Sequence, residues 1–478
     1  MGVIFKAKLS ELKSDRYLRC DTDYIDFNQK FRGNNHFLKN CVSIFDTGKP
    51  IAKTDYSENG EPTEYVHLVV RNIKNGVLNL EDPIYINEDK GVSLSAFKIE
   101  VGDIVVAISA NCGSAFYFER LIDGVQLTLS HYLAKFKVNA EIINPRLLVY
   151  YLNSKSIQKY FRATETGKTQ KNLSKTYLRE LPIFLPAELD KQNEILENIK
   201  PLEAEIAELK KSKLQALNII NQVLGEAFGF DWSAFEAIKK EKSYTSSIST
   251  FANNIDCRMG IRFHNKAGAY IQAFLESQTN KRIKDFISDN IVLGTSVSPS
   301  DYDEDGEYFY IAMSNIKTWA FDPEDCKKVS ESYSASNLNK TVKKGDILLA
   351  RSGEGTIGKV AIIEDEDING IFADFTQRIR FTGFDPLCAY YYMRSDFFQY
   401  LVYTHKKGLG NNTNIFPSQI REFPMPDWDE NKQAEIVKNI KTQLDAQKVI
   451  DLQIEQKQQE ISKIIEDAIY SAQTNRLL

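Results

Sequence analysis

Gly353-Glu354-Gly355-Thr356-Ile357-Gly358-Lys359-Val360 is the stretch of this 478-residue chain that most resembles catalytic machinery. It fits the G-x-G-x-x-G-x-V spacing by which a kinase lays backbone amides over nucleotide phosphates. The surrounding residues do not complete that chemistry. The following apolar run, Val360 to Ile363, ends in Glu364 where a phosphate-pairing lysine is required, no His-Arg-Asp loop follows, and Asp374-Phe375-Thr376 is not the metal-binding triplet. A kinase-like enzyme built around Gly353–Lys359 would bind nucleotide as an isolated chain. Other signatures are absent too: no Walker sequence, no G-x-S-x-G elbow, no H-E-x-x-H, and no Asn/Asp-Pro-Pro-aromatic tetrapeptide of the amino-methyltransferases. The six cysteines are scattered singly and form no C-x-x-C pair, so no zinc site is expected and the thiols are those of a reduced, intracellular protein. The acidic run Asp301, Asp303, Glu304, Asp305 reads as a solvated turn. The chain is therefore expected to have no active site, metal or cofactor of its own.

A set of polar residues remains: Ser109, Asn111 and Ser114; His131; Lys168, Gln170, Lys171 and Asn172; Arg351, Ser352, Thr356 and Lys359; Gln377 and Arg378; Asn411, Asn412 and Asn414. Arginine suits guanine, asparagine and glutamine suit adenine, and lysine or serine suits the phosphate backbone, so these residues are the candidate DNA contacts. Taken alone, they are also what ordinary hydrophilic surface loops contain.

Their placement decides between these readings, because the chain repeats itself about 240 residues on. Asp55-Tyr56 returns as Asp301-Tyr302, Asn72-Ile73-Lys74 as Asn315-Ile316-Lys317, and Gly102-Asp103-Ile104 as Gly345-Asp346-Ile347. Tyr150-Tyr151 returns as Tyr391-Tyr392, and Lys191-Gln192 as Lys432-Gln433. Framework positions match while the polar loops between them diverge, as two equivalent scaffolds reading different short sequences would. A repeat of this size is a whole domain with an appendage.

Each copy opens with short β-prone runs, Tyr65–Val70 and Ile104–Ile108 against Tyr308–Ala312 and Ile347–Ala350, with helices expected over Pro145–Phe161 and Pro386–Val402. Each closes on a long helical stretch. In the first, Ile195, Ile199, Leu202, Ile206 and Leu209 step by coiled-coil intervals, continuing through Leu214, Leu217, Ile220 and Leu224 to Gly225 and Gly229. The second is expected to turn Ile436, Ile440, Leu444, Ile454, Ile461, Ile464 and Ala468 inward. Two such helices bury their stripes on each other. The expected fold is α+β: two tandem, pseudo-two-fold-related domains separated by two long antiparallel coiled-coil helices. The divisions fall at 1–187, 188–229 (central helix), 230–427 (linker and second domain) and 428–478 (C-terminal helix).

A net charge of −5 argues against non-specific coating of nucleic acid and leaves local recognition open. No apolar run approaches the ~20 residues that span a bilayer, and Met1 to Lys6 has neither a signal-peptide pattern nor the Ser or Thr of a myristoylation site. A cytoplasmic protein is expected.

The order of these pieces resembles the specificity (DNA-recognition) subunits of type I restriction–modification systems. The resemblance rests on Lys344 to Ser352 leading to Ile357-Gly358-Lys359, and on Arg421-Glu422-Phe423-Pro424-Met425-Pro426 leading to Lys432-Gln433. Val101 to Ala107 and Arg179-Glu180-Leu181-Pro182 leading to Lys191-Gln192 are their first-copy counterparts. It implies two target-recognition domains that each read half of a bipartite, asymmetric double-stranded DNA target, with helices that fix the gap. It also implies docking to two methyltransferase (modification) subunits and a restriction/translocase subunit. S-adenosylmethionine, ATP and Mg are then expected on those partners and none in this chain. The first ~45 residues, with Arg16 to Arg19 and the aromatic run Tyr24 to Phe31, match the second copy's start only loosely. A coiled-coil protein-interaction scaffold of a defence complex, with no DNA binding of its own, is the alternative from another class.

Overall fold

Ile104–Ala107 and Ile347–Ala350 are fully buried strands, and each is one of the two inner strands of a four-stranded antiparallel sheet. Burial on both faces explains why they read as unbroken apolar runs rather than alternating ones. The computed structural model describes residues 36–74, 76–166, 171–241, 243, 245, 248–249, 258–316, 318–366, 368–409 and 412–477. Arg16 to Arg19, Tyr24 to Phe31, Cys20, Cys257, Lys168, Gln170 and Asn411 lie outside the described residues. The chain divides into two compact units, one of residues 1–212 with 452–478 and the other of residues 213–451. The last part of the C-terminal helix thus belongs with the first unit.

In the first unit the sheet order is Val42–Thr47, Leu133–Val138, Ile104–Ala107, Ala115–Tyr117, and Tyr65–Leu68 pairs in parallel with Gln126–Leu129. In the second unit Val292–Leu293, Thr376–Ile379, Ile347–Ala350 and Val360–Ile362 follow the same order. Tyr308–Ile311 likewise pairs in parallel with Gly370–Phe372. The duplication in sequence is a duplication of topology.

The repeated motifs have structural jobs. Gly102 and Gly345 sit at φ +94° and +84°, a left-handed turn that glycine alone adopts without strain. The next residue, Asp103 or Asp346, is buried and accepts the backbone N–H of Glu100 or Lys343, both at 2.8 Å, closing the turn into the central strand. Each carboxylate also faces cations of the neighbouring strand. Lys135 lies 3.3 Å from Asp103, whereas Arg380 grips Asp346 through Nε at 2.7 Å and Nη2 at 2.8 Å. The Lys-Gln repeat is explained by the glutamine. Buried Gln192 accepts the Asn144 N–H (2.8 Å) and donates to the Pro186 carbonyl (2.8 Å); Gln433 does the same with Asp385 and Trp428, both at 2.6 Å. Tyr151 and Tyr392 donate to the carbonyls of Pro182 and Pro424, at 2.6 and 2.7 Å.

The helical expectations need three corrections. Each domain helix is two: Pro145–Asn153 and Lys155–Thr164, then Pro386–Arg394 and Asp396–His405, because Ser154 and Ser395 are extended. The central run is two helices, Leu189–Ser212 and Ala216–Phe228, with an extended Gln215 between them. Leu214 at that break is exposed instead of joining the seam. The C-terminal helix does run unbroken over Glu430–Leu477, but its late inward residues are Ile461, Ile465, Ile469 and Ala472, not Ile464 and Ala468. Steps of four and three from Ile461 keep to one face of a helix turning every 3.6 residues. The long helices run antiparallel: Glu205 meets Lys457, Lys213 meets Asp451 (2.5 Å), and the Leu214 N–H meets Gln447 (2.8 Å).

Candidate nucleic-acid interface

In each unit the polar loops gather where the central strand ends. In the first unit, Ser109 bridges Asn172, the Ala110 N–H donates to the Lys171 carbonyl (2.9 Å), and the Leu173 N–H donates to the Ile108 carbonyl (2.9 Å). In the second, Ser352 bridges Asn414, the Gly353 N–H donates to the Thr413 carbonyl (3.3 Å), and the Ile415 N–H donates to the Arg351 carbonyl (2.9 Å). The hydroxyls of Ser109 and Ser352 donate to those same Lys171 and Thr413 carbonyls, both at 3.3 Å. A third segment joins each group: the Ile108 N–H donates to the Tyr132 carbonyl and the Arg351 N–H to the Phe375 carbonyl, both at 2.9 Å. Three loops distant in sequence are therefore tied into one ledge, twice, by the same hydrogen bonds.

The candidate residues divide by exposure. Asn111, His131, Lys171, Asn172 and Asn412 face solvent; Ser114, Arg351, Thr356, Lys359 and Asn414 are half-buried. His131 lies with its ring 3.8 Å from that of Tyr132. Ser109, Ser352, Gln377 and Arg378 are buried, and the first three donate to carbonyls of the ledge. Gln377 Nε2 donates to the Ile415 carbonyl (3.3 Å). Arg378 donates to the Thr341 carbonyl and lies 5.5 Å from the centre of the Phe372 ring. Burial lowers the Arg378 pKa, with the Arg380 charge acting the same way. Arg351 is committed partly to the ledge, since its Nε donates to the Asp374 carbonyl at 2.8 Å. Thr356 closes its own turn by donating to the Ser352 carbonyl at 2.9 Å.

Several residues that belong to this surface escaped the composition-based choice. Phe375 and Tyr132 are aromatic side chains at equivalent points of the two ledges, and Phe375 is exposed. Arg258 donates to the carbonyls of His405 (3.1 Å) and Lys406 (2.8 Å), which brings residues 258–265 against the second ledge. Glu354 accepts from Lys406 Nζ at 3.0 Å and from Thr413 Oγ1 at 3.3 Å. Hydrogen bonding to Lys406 is the main cause holding the Glu354 carboxyl below its ordinary range. Only the doubling of the fold could have flagged these positions, because their partners lie tens of residues away.

The glycine-rich loop joins two antiparallel strands, Ile347–Ala350 and Val360–Ile362, so no helix N-terminus stands behind it to receive a phosphate. Among the described residues, no group of three or more His, Cys, Asp or Glu could hold a metal ion. Burial pushes the thiols of Cys112 and Cys326 up to about 11 and about 12. No described helix is long and apolar enough to cross a membrane.

Residues 36–218 match the family model of the type I restriction modification DNA specificity domain. Among solved structures, the type I restriction-modification S subunit of M. genitalium is similar at 14% identity and TM-score 0.37, over 93% of this chain and 98% of that one. A chain from a structural study of complex assembly and conformational transition in the type I R-M system shows 13% identity and TM-score 0.41, over 92% and 96%. The HsdS subunit of Thermoanaerobacter tengcongensis shows 12% identity and TM-score 0.28, over 91% and 95%. No curated protein matches the chain.

Proposed function

We propose, from the match of residues 36–218 to the type I restriction modification DNA specificity domain, that the whole chain is the non-catalytic specificity subunit of such a system, reading a bipartite, asymmetric DNA target. The observation that carries the reading is the second ledge. The specificity domain's hydrogen-bond framework recurs in the other unit with different residues at its surface. One scaffold with two sets of exposed side chains reads two different half-sites. Asn111, Lys171, Asn172, Arg351, Lys359, Asn412 and Asn414 are the proposed contacts, together with Lys168, Gln170 and Asn411 from the sequence. The long helices act as the spacer, and their outer faces dock the methyltransferase subunits, which supply S-adenosylmethionine and adenine chemistry. A restriction subunit would add ATP- and Mg-dependent translocation and cleavage. Two linked half-sites give joint selectivity that neither interface reaches alone. The cytoplasm, where the DNA is, is the proposed location.

The coiled-coil scaffold reading predicts no binding to duplex DNA, so titration of the full chain with duplex DNA across a salt series separates the two. Recognition requires affinity that falls steeply and linearly in log–log form as counterions rise. Absence of any salt-dependent duplex binding, with or without the products of the adjoining genes, would leave the scaffold reading in its place.

A further inference from the structure

Each ledge carries an ion pair whose inner member stands at the same point, with its charge reversed between the two units. In the first unit Glu165 immediately precedes the Thr166–Asn172 bridge, and in the second Lys406 immediately precedes the Lys407–Asn414 bridge. Glu165, with its side chain 14% exposed, lies 3.3 Å from Lys171, which is 49% exposed. Lys406, 5% exposed, lies 3.0 Å from Glu354, which is 49% exposed. The inner member is an anion in one unit and a cation in the other, and so the surface offers a cation in the first and a carboxylate in the second. Thr413, the counterpart of Lys171, supports that carboxylate with a 3.3 Å hydrogen bond. Gly353 and Gly355, at φ +88° and +85°, carry Glu354 on the tip of the loop, in a conformation that side-chain-bearing residues resist.

A fixed carboxylate on a DNA-facing surface repels every phosphate it meets. Its complement is an exocyclic amino group in the major groove. Adenine sets its N6 amine beside the N7 acceptor, which a carboxylate would oppose and an amide would satisfy, whereas the cytosine N4 amine has no acceptor beside it on its own base. Resting on the DNA-recognition reading above, we infer that Glu354 is a specificity-determining residue that accepts a hydrogen bond from a cytosine N4 amine in the half-site read by the second unit. Lys406 and Thr413 are positioning residues: they hold the carboxylate in place and touch no base.

The test is selection of duplexes from a pool of randomised base pairs by the full chain, expressed with the genes adjoining its own, for the parent and for Glu354→Gln. The glutamine keeps an oxygen for Lys406 and is sterically matched, which guards against loss of fold. Expected is a cytosine in the parent motif at one position of one half-site, preferred roughly tenfold or more over other bases. In Glu354→Gln that preference shifts to adenine or disappears, and all other positions stay as they were. A parent motif that Glu354→Gln leaves unchanged, or a uniform fall in affinity with the same base preferences, overturns the inference. A parent that selects no motif overturns the DNA-recognition reading itself.

Discussion

Replacing Asp346 with alanine should loosen the second unit and leave the first intact. The Asp346 carboxylate is fully buried and accepts the Lys343 N–H at 2.8 Å and two Arg380 donors at 2.7 and 2.8 Å. Arg378 Nε lies 4.0 Å away, with its side chain only 9% exposed. Removing one partner of a buried pair costs about 3–5 kcal/mol, because the other charge stays behind unpaired. Arg380 is a quarter exposed and can turn to water, so its share falls toward the ~0–1 kcal/mol of a surface pair. The buried Arg378 cannot escape in that way, and the turn amide loses its acceptor. The expected loss is therefore near the lower bound, about 3 kcal/mol, or on the order of a hundredfold in the opening equilibrium. A two-unit chain has no single unfolding free energy, so the assay is hydrogen exchange resolved by segment. Protection across Ile347–Ala350 should fall by that factor while Ile104–Ala107 is unchanged. Equal loss in both strands, or a change below about threefold in Ile347–Ala350, would refute the assignment of Asp346 as the anchor of its own sheet.

Gln433→Ala should cost about 1–3 kcal/mol by leaving the Asp385 N–H and the Trp428 carbonyl without their partner; exchange of the Pro386–Arg394 amides reads it, and unchanged protection there counts against it. Burial, aided by the charges of His131 and Lys90, lowers the His67 pKa to about 4 from 6.5. Below pH 6.5 the unfolded chain therefore binds a proton that the folded one refuses, and stability is lost as pH falls toward 4, by about 2 kcal/mol at pH 5. Exchange across Tyr65–Leu68 at pH 7 and 5, corrected for intrinsic rates, should show the loss, and His67→Gln should abolish it; an equal pH response in that variant would contradict the cause. Lys171→Ala should weaken duplex binding and flatten the log–log salt dependence by roughly 0.9 if the side chain meets a phosphate; an unaltered slope with lost selectivity would move Lys171 to a base edge.

Much of the framework was legible because it obeys local rules. The short apolar runs at Ile104 and Ile347 read as strands because Gly-Asp turns precede them, and the proline-led helices carry their own signal. The duplication was visible because framework residues such as Gln192 and Gln433 make the same bonds twice. The break at Gln215 was hidden, since the apolar spacing continues through Leu214 even though that side chain is exposed. At the candidate interface, composition chose polar residues without knowing which way they point. Gln377 and Arg378 sit on a strand whose four residues are all buried, so alternation gave no clue to a solvent face. Glu354 is an acid, outside the residue types matched to guanine, adenine and phosphate, and its partner Lys406 lies 52 residues away, beyond any local pattern.

The central claim, that two copies of one scaffold read two half-sites, is tested most directly by mapping methylation across a host genome. The chain would be expressed with the methyltransferase subunit proposed as its partner, and again after deletion of residues 257–427. The account predicts adenine methylation at a single bipartite motif, lost in the deletion. Methylation that is the same whether or not this chain is present would contradict it.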